Sequence, residues 1–332
     1  MSRRAWLGLW IAATALIVPA ADLALGRGVD WSELLAGTDT VSWRVLTELR
    51  LPRLVVALFA GTALGLAGLA LQSVLRNPLA APELTAVNPS AVLGYLIASG
   101  TGLIDGGSVF SSVLSATVGG LLGGGLLWLV AHRRTSEQTA VLGLLSALAL
   151  TGVVTILIAA RPTGVGGALR WLIGSVEARV AEHVPMIAIP VLAGFAALVL
   201  VADRLEILAV SDSHAHCLGV SPGFWRGVGI GIAVLLASAA VATVGPLAFV
   251  GFVAPHVVRL VFGGRLRRQV MLVAVCGGLF VAASDLIAKA VSLAIQLTGD
   301  GQQVGVPVGA VTCLIGAAAL VAVASSHQES EP

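Results

Sequence analysis

Apolar runs alternate along this chain with short polar intervals. Runs of membrane-spanning length fall at 5–25, 54–75, 109–131, 139–160, 186–202, 227–244 and 270–291. Three shorter or interrupted runs join them: one from near Ala91 to before Asp105, one at 246–262 broken by Pro255, and one at 306–324. A helix needs about 20 apolar residues to cross the hydrocarbon core. The pattern predicts an all-α polytopic membrane protein of about ten transmembrane helices, forming a single domain over 1–332. Two polar intervals stand out. In 161–185, Leu169, Trp171, Leu172, Ile173 and Val176 are set among Arg170, Glu177 and Arg179, which predicts a short amphipathic surface helix. Residues 203–226 read as a mixed loop.

The stretch 48–91 organises the rest. It opens on Arg50, Pro52 and Arg53, runs apolar to Leu75, and closes at Arg76-Asn77-Pro78 before a segment broken by Pro82 and Pro89. Gly61, Gly65 and Gly68 would let neighbouring helices approach closely. Broken backbone at membrane depth is tolerated only where protein or a water-filled cavity covers it. The second span ends in Asn77-Pro78-Leu79-Ala80 and the seventh in Gly245-Pro246-Leu247-Ala248, each with a later proline. The two spans run in opposite senses, which points to an inverted repeat of spans 2–5 against 7–10.

Composition agrees. The chain is 57% hydrophobic and 11% charged, with mean hydropathy +0.98, whereas soluble domains carry about 25% charged residues. A net charge of +2 gives no indication of a nucleic-acid partner. Lys289 is the only lysine, so no Gly-Lys-Ser/Thr phosphate loop exists and the chain cannot hydrolyse ATP by that route. No nucleophile–base or metal constellation is present, and the chain reads as a non-enzyme without a cofactor. Cys217, Cys276 and Cys313 lack paired spacing and read as small buried residues. His214 and His216 lack a third ligand nearby and do not read as a metal pair. The N-terminal run reads as a first span rather than a signal peptide. Ten spans put both termini on one side, and the basic clusters 132–134 and 265–268 make that side cytoplasmic.

Several motifs together resemble one family. They are RLPR…GTALGLAGLALQSVLRNPLAAPEL, RWLIGSVEARVAEHV (170–184), LGV (218–220), VGPLAFVGFVAPHVVRLVFGG (244–264), SDLIAKA (284–290) and VPVGAVTCLIGA (306–317). This set resembles the FecCD-type permeases of type II ABC importers, which take up iron-siderophores, haem or vitamin B12, over roughly 45–320. The resemblance implies two permease subunits in a homo- or heterodimer, two cytoplasmic ABC ATPase subunits, and an extracytoplasmic substrate-binding protein. It implies that basic residues at Arg50, Arg53 and Lys289 receive glutamates of the binding protein. Lys289 stands where an arginine is usual, so one bidentate contact would become a point-charge contact. It makes 203–226 the cytoplasmic coupling loop, with Asp212, Ala215, Leu218 and Gly219 at the ATPase. Two short helices broken at Gly219 are expected there, with Ala215 and Leu218 on one apolar face. The pathway would be lined by spans 5 and 8 and the broken segment, with Thr135 and Ser136 at a constriction. Asn77 and Asn88 would offer amide contacts there or serve as caps.

The chain departs from the family pattern at Thr85–Ala91, Gly305–Pro307, Leu266–Arg268 and Gly316–Ala319, which bears on substrate identity. His256 reads as a packing and hydrogen-bonding residue, and Asp285 as a helix-packing partner deep in an apolar span. The leading expectation is a permease of the inner membrane moving a ferric siderophore by alternating access, with haem or vitamin B12 as alternative cargo. An ion-coupled secondary transporter using Asp285 is the rival from another class.

Overall fold

The computed structural model describes residues 3–25, 29, 32, 40–104, 108–131, 136–160, 173–298 and 305–328. Among the described residues no strand occurs and the architecture is a helical bundle. The chain opens with α1 (Arg3–Ala24), α2 (Thr40–Arg44), a π-helical turn (Val45–Arg50) and α3 (Leu51–Leu75). A 3-10 turn (Pro82–Leu84) leads into α4 (Val87–Gly100), α5 (Val109–Ala131) and α6 (Ser136–Ala159). Then come α7 (His183–Val210), α8 (Asp212–Cys217), α9 (Pro222–Val244), α10 (Val250–Val261), α11 (Leu266–Thr298) and α12 (Val308–Gln328). Six of these stretches are long and apolar enough to cross a membrane, and α10, α12 and part of α1 are shorter apolar helices. Each of the ten expected spans coincides with a helix.

The central helices are α3 and α9. Over their most apolar windows, 78% of the first and 83% of the second are buried inside the chain, against 28% for α5 and 17% for α6. Glycine makes this enclosure possible. On α3 a methyl group at Gly61 would overlap the carbonyl of Gly277 on α11, and one at Gly68 would overlap Gly251 on α10. Arg53 faces Asp285, Gly61 faces Gly277 and Gly65 faces Val273, so α3 and α11 run antiparallel in one continuous register. Backbones this close gain dispersion contacts that lipid cannot replace.

Both central helices end in broken backbone. The C-cap of α3 is Arg76, left-handed at φ 49, and α4 begins eleven residues on, at Val87, after the Pro82 turn. After α9 come Gly245 at φ 78 and Phe249 at φ 66, the left-handed N-cap of α10. A long helix, a Pro-Leu-Ala break and a short helix thus occur twice in opposite directions, as an inverted repeat requires. Proline sits in the first turn of both α3 and α9, where its missing N–H costs nothing.

Two local expectations fail, and a third falls largely outside the described residues. The sixth span does not stop at 202: α7 continues to Val210, because Leu198, Ala202, Leu205 and Leu208 keep a fully buried stripe at helical spacing. Asp203, Arg204 and Glu206 occupy its other face. The interhelical segment therefore shrinks from 203–226 to 211–221. The predicted amphipathic helix at 161–185 lies outside the described residues as far as 172, and 174–182 form turns rather than a helix. There Ser175 N donates to Val244 O (2.8 Å) and Gly309 N to Gly174 O (3.1 Å), lacing the ends of α9 and α12 together. The cysteines are free, but Cys217 and Cys313 are exposed on the chain rather than buried.

Candidate functional site

Three basic residues singled out in the sequence meet at one end of the bundle. Arg53 grips Asp285 with its fork: Nε donates to Oδ2 (2.9 Å) and Nη2 to Oδ1 (2.7 Å). Lys289, one turn beyond Asp285 on α11, donates to Asp22 Oδ2 (2.8 Å) and lies 3.2 Å from Asp285 Oδ2. Arg50 Nη1 donates to the carbonyl of Leu23 (2.5 Å) in the last turn of α1, where the helix dipole favours a cation. The π-helical turn Val45–Arg50 precedes Arg53, and such turns are frequent at functional sites. Two carboxylates and three cations leave the cluster at a formal +1 (three minus two). Asp22 and Asp285 are 0% and 1% exposed, while Arg53 keeps 22% and Lys289 14%. Asp285 is the helix-packing partner expected of it, and its double pairing leaves little for an ion-coupled role. Asp22 was missed in the sequence. It closes an apolar run after Pro19-Ala20-Ala21, and the rule that an intramembrane carboxylate demands a partner would have found it.

At the opposite end, Ser211 caps α8 by accepting from His214 N (3.0 Å) in extended backbone. Asp212 lies between two helices: its carboxylate accepts from Arg226 Nη2 (3.0 and 3.2 Å) at the start of α9 and from Arg76 Nη2 at the end of α3. Only one short helix exists here, not two. After Cys217 the chain turns at Gly219 (φ 71), where Val220 N returns to Ala215 O (2.8 Å), and runs directly into α9. Ala215 and Leu218 do not share an outward face: Ala215 is fully buried against the bundle, while Leu218 is 56% exposed. The apolar groups presented outward are Leu218, Val210 and Phe224. His214 and His216 are exposed, and among the described residues no three ligands gather for a metal.

Of the pathway residues, Thr135 lies outside the described residues, and Ser136 begins α6. Asn77 Oδ1 accepts from Leu79 N (2.9 Å), closing the turn after α3. Asn77 also borders a cavity of about 200 Å³ with Thr85, Thr139, Gly143, Leu71 and Ile230. Its walls come from α3, the broken segment, α6 and α9; α10 does not line it. Asn88 is buried in the first turn of α4, with Oδ1 unbonded among the described residues. The two asparagines are thus not equivalent, one a turn-former and one an unspent acceptor. His256 stacks on Phe252 at 5.5 Å between ring centroids, as a packing residue would. Arg259 donates to Gln72 Oε1 (2.5 Å), and Gln72 donates to Gly251 O (3.1 Å), bridging α3 and α10 beside the second break.

Comparisons with known proteins give the family. Residues 9–326 match the FecCD transport family. The chain is 36% identical over 322 residues to the Fe(3+) dicitrate transport system permease protein FecD of Escherichia coli, covering 94% of this chain and 96% of that one. It is 34% identical over 285 residues to the ferric enterobactin transport system permease protein FepG of the same organism (83% and 81% covered). It is 30% identical over 285 residues to the cobalamin import system permease protein BtuC of Halobacterium salinarum (85% and 73%). Among solved structures, its fold is similar to an inward-facing metal-chelate type ABC transporter, with TM-score 0.83 at 22% identity over 96% of this chain and 98% of the other.

Proposed function

Because the chain belongs to the FecCD transport family, and is thus the multi-pass permease of a type II ABC importer, we propose that it moves a ferric siderophore into the cytoplasm by alternating access. The observation that supports this cargo is the likeness across nearly the whole chain to permeases named for ferric dicitrate and ferric enterobactin. The working unit on this reading is two permeases, as a homo- or heterodimer, with two ATPase subunits and an extracytoplasmic binding protein. Energy comes from the ATPases, since this chain has no phosphate loop. The permease lies in the inner membrane among its lipids with both termini in the cytoplasm.

The Arg53 end then faces outward and the Asp212 end inward. Arg50, Arg53 and Lys289 supply the excess positive charge that orients acidic lobes of the binding protein. The exposed Leu218 side, turned at Gly219, seats in an ATPase groove. The cavity beside Asn77 and Thr139 belongs to the pathway, with Asn88, Thr135 and Ser136 contributing polar contacts. The importer, reconstituted in vesicles with its ATPase and binding protein, should take up iron-55 presented as a ferric siderophore, and only with internal ATP. Uptake of cobalamin or haem in preference to the ferric chelate would overturn the cargo. Uptake driven by a proton gradient without an ATPase would overturn the class.

A further inference from the structure

We infer that Asp212 is a positioning residue rather than a surface for the ATPase: with Arg76 and Arg226 it forms a clamp that carries the motion of α8 into α3 and α9. The inference rests on the reading of 211–221 as the coupling loop.

A six-residue helix such as α8 is too short to hold itself. The Ser211 cap and the fully buried Ala215 fix how it lies. Neither bonds to the ends of α3 and α9. Only the Asp212 carboxylate does so, through charged hydrogen bonds to Arg76 and Arg226. Charge-assisted bonds of this kind are about twice as strong as neutral ones. Arg226 is 8% exposed along its side chain, and its Nε is buried without a hydrogen-bond partner, so Asp212 is its one ion-pair partner among the described residues. Arg76 holds the left-handed C-cap of α3, the last ordered turn before the break.

What the clamp grips gives it a role. α3 and α9 are the two most enclosed helices, and each passes directly into a broken segment. Close packing along α3, at Gly61, Gly65 and Gly68, leaves little slack for a push at its end to dissipate sideways. At about 1.5 Å per residue, the 25 residues of α3 form a stiff rod reaching from Arg76 to the Arg53–Asp285 pair at the far end. A tilt of α8 therefore reaches α9 through the main chain and the carboxylate together, but reaches α3, and through it the opposite end of the bundle, by the carboxylate.

The test uses the complete importer in vesicles and counts ATP molecules hydrolysed per ligand delivered. Asp212→Ala should raise this ratio at least about fivefold, the lower range of a typical coupling effect, while the ATPase still co-purifies. Arg76→Ala should do the same, the double variant should be no worse than either single, and Asp212→Glu should restore the ratio. An unchanged ratio, or transport and hydrolysis falling in proportion, would overturn the clamp. So would loss of the ATPase on purification of Asp212→Ala, which would make Asp212 a contact. Leu218→Glu separates this from the underlying reading. If it leaves ATPase association intact, the coupling-loop assignment itself fails; if it abolishes association while Asp212→Ala leaves the ratio unchanged, only the clamp fails.

Discussion

Asp285→Asn removes one charge from the Arg53 cluster and almost no volume. In the wild type both carboxylate oxygens are engaged, by Arg53 through two bonds and by Lys289 at 3.2 Å. The amide offers one acceptor oxygen and turns two donors toward groups that are themselves donors. Lys289 keeps Asp22, but Arg53 loses the carboxylate that both its bonds reach, and the cluster moves from a formal +1 to +2. Breaking a buried pair by deleting one partner costs about 3–5 kcal/mol, because the remaining charge stays buried. Arg53 retains 22% exposure, so water relieves part of the penalty and about 3 kcal/mol, the lower end, is expected.

Reversible unfolding of the purified permease in mixed micelles, followed by tryptophan fluorescence, measures this directly. Asp285→Asn should lower the folded-to-unfolded ratio by about a hundredfold. Arg53→Gln should cost less, since Asp285 keeps Lys289. The double variant should be less destabilised than the sum of the singles, by about 1–3 kcal/mol of coupling. A loss within about 0.5 kcal/mol for Asp285→Asn, the range of an ordinary surface change, would refute the reasoning: the carboxylate would then be solvated or replaceable, and not the hub of a dry network.

Three other outcomes are expected. Arg53→Glu should lose both stability and binding-protein-stimulated hydrolysis; adding Asp285→Arg inverts the pair and should restore stability but not stimulation, and restored stimulation would remove Arg53 from docking. Gly61→Ala and Gly68→Ala each place a methyl into facing backbone and should cost about 1–3 kcal/mol as overpacking, read as lower melting in detergent. Gly125→Ala, with nothing within 4 Å, should cost no stability and serves as their control. Gly219→Val forces a branched residue to φ 71 where nothing crowds the position, so a loss of about 1–2 kcal/mol would come from backbone alone.

Span positions were legible because twenty apolar residues in a row have few alternatives, and the paired Pro-Leu-Ala breaks announced the repeat. The sequence was misleading where one helix changes environment along its length. Asp203, Arg204 and Glu206 look like a loop, yet Leu205 and Leu208 are fully buried and carry α7 onward. Glu206 even accepts from Leu266 N (3.1 Å), serving the first turn of α11 from another helix. A linear reading weighs charge by density, whereas the fold weighs it by face. The same limit hid partners: Arg53 and Asp285 are 232 positions apart, and nothing local to either says that one answers the other.

On the proposal that Arg50, Arg53 and Lys289 receive the binding protein, that pairing changes how they would act. A free row of arginines on an exposed mouth would bind any acidic surface, and its strength would fall steeply with salt. Here Asp22 and Asp285 already neutralise most of the charge and orient Arg53 and Lys289, while main-chain carbonyls of α1 hold Arg50, so a docking partner would meet a small residual charge in a rigid frame. Such an arrangement sacrifices affinity and gains register. It also binds α1, α3 and α11 together at one end, as Asp212 binds α3, α8 and α9 at the other. α3 is the one helix in both networks. A glutamate that drew Arg53 away from Asp285 would loosen α3 at its outer end, and α8 would feel the change through Arg76. Docking and hydrolysis would then compete for one rod, which makes Arg53→Gln the variant to examine for altered hydrolysis without binding protein. If α3 transmits, hydrolysis should rise in that variant without the binding protein; an unchanged rate would mean the two ends act independently.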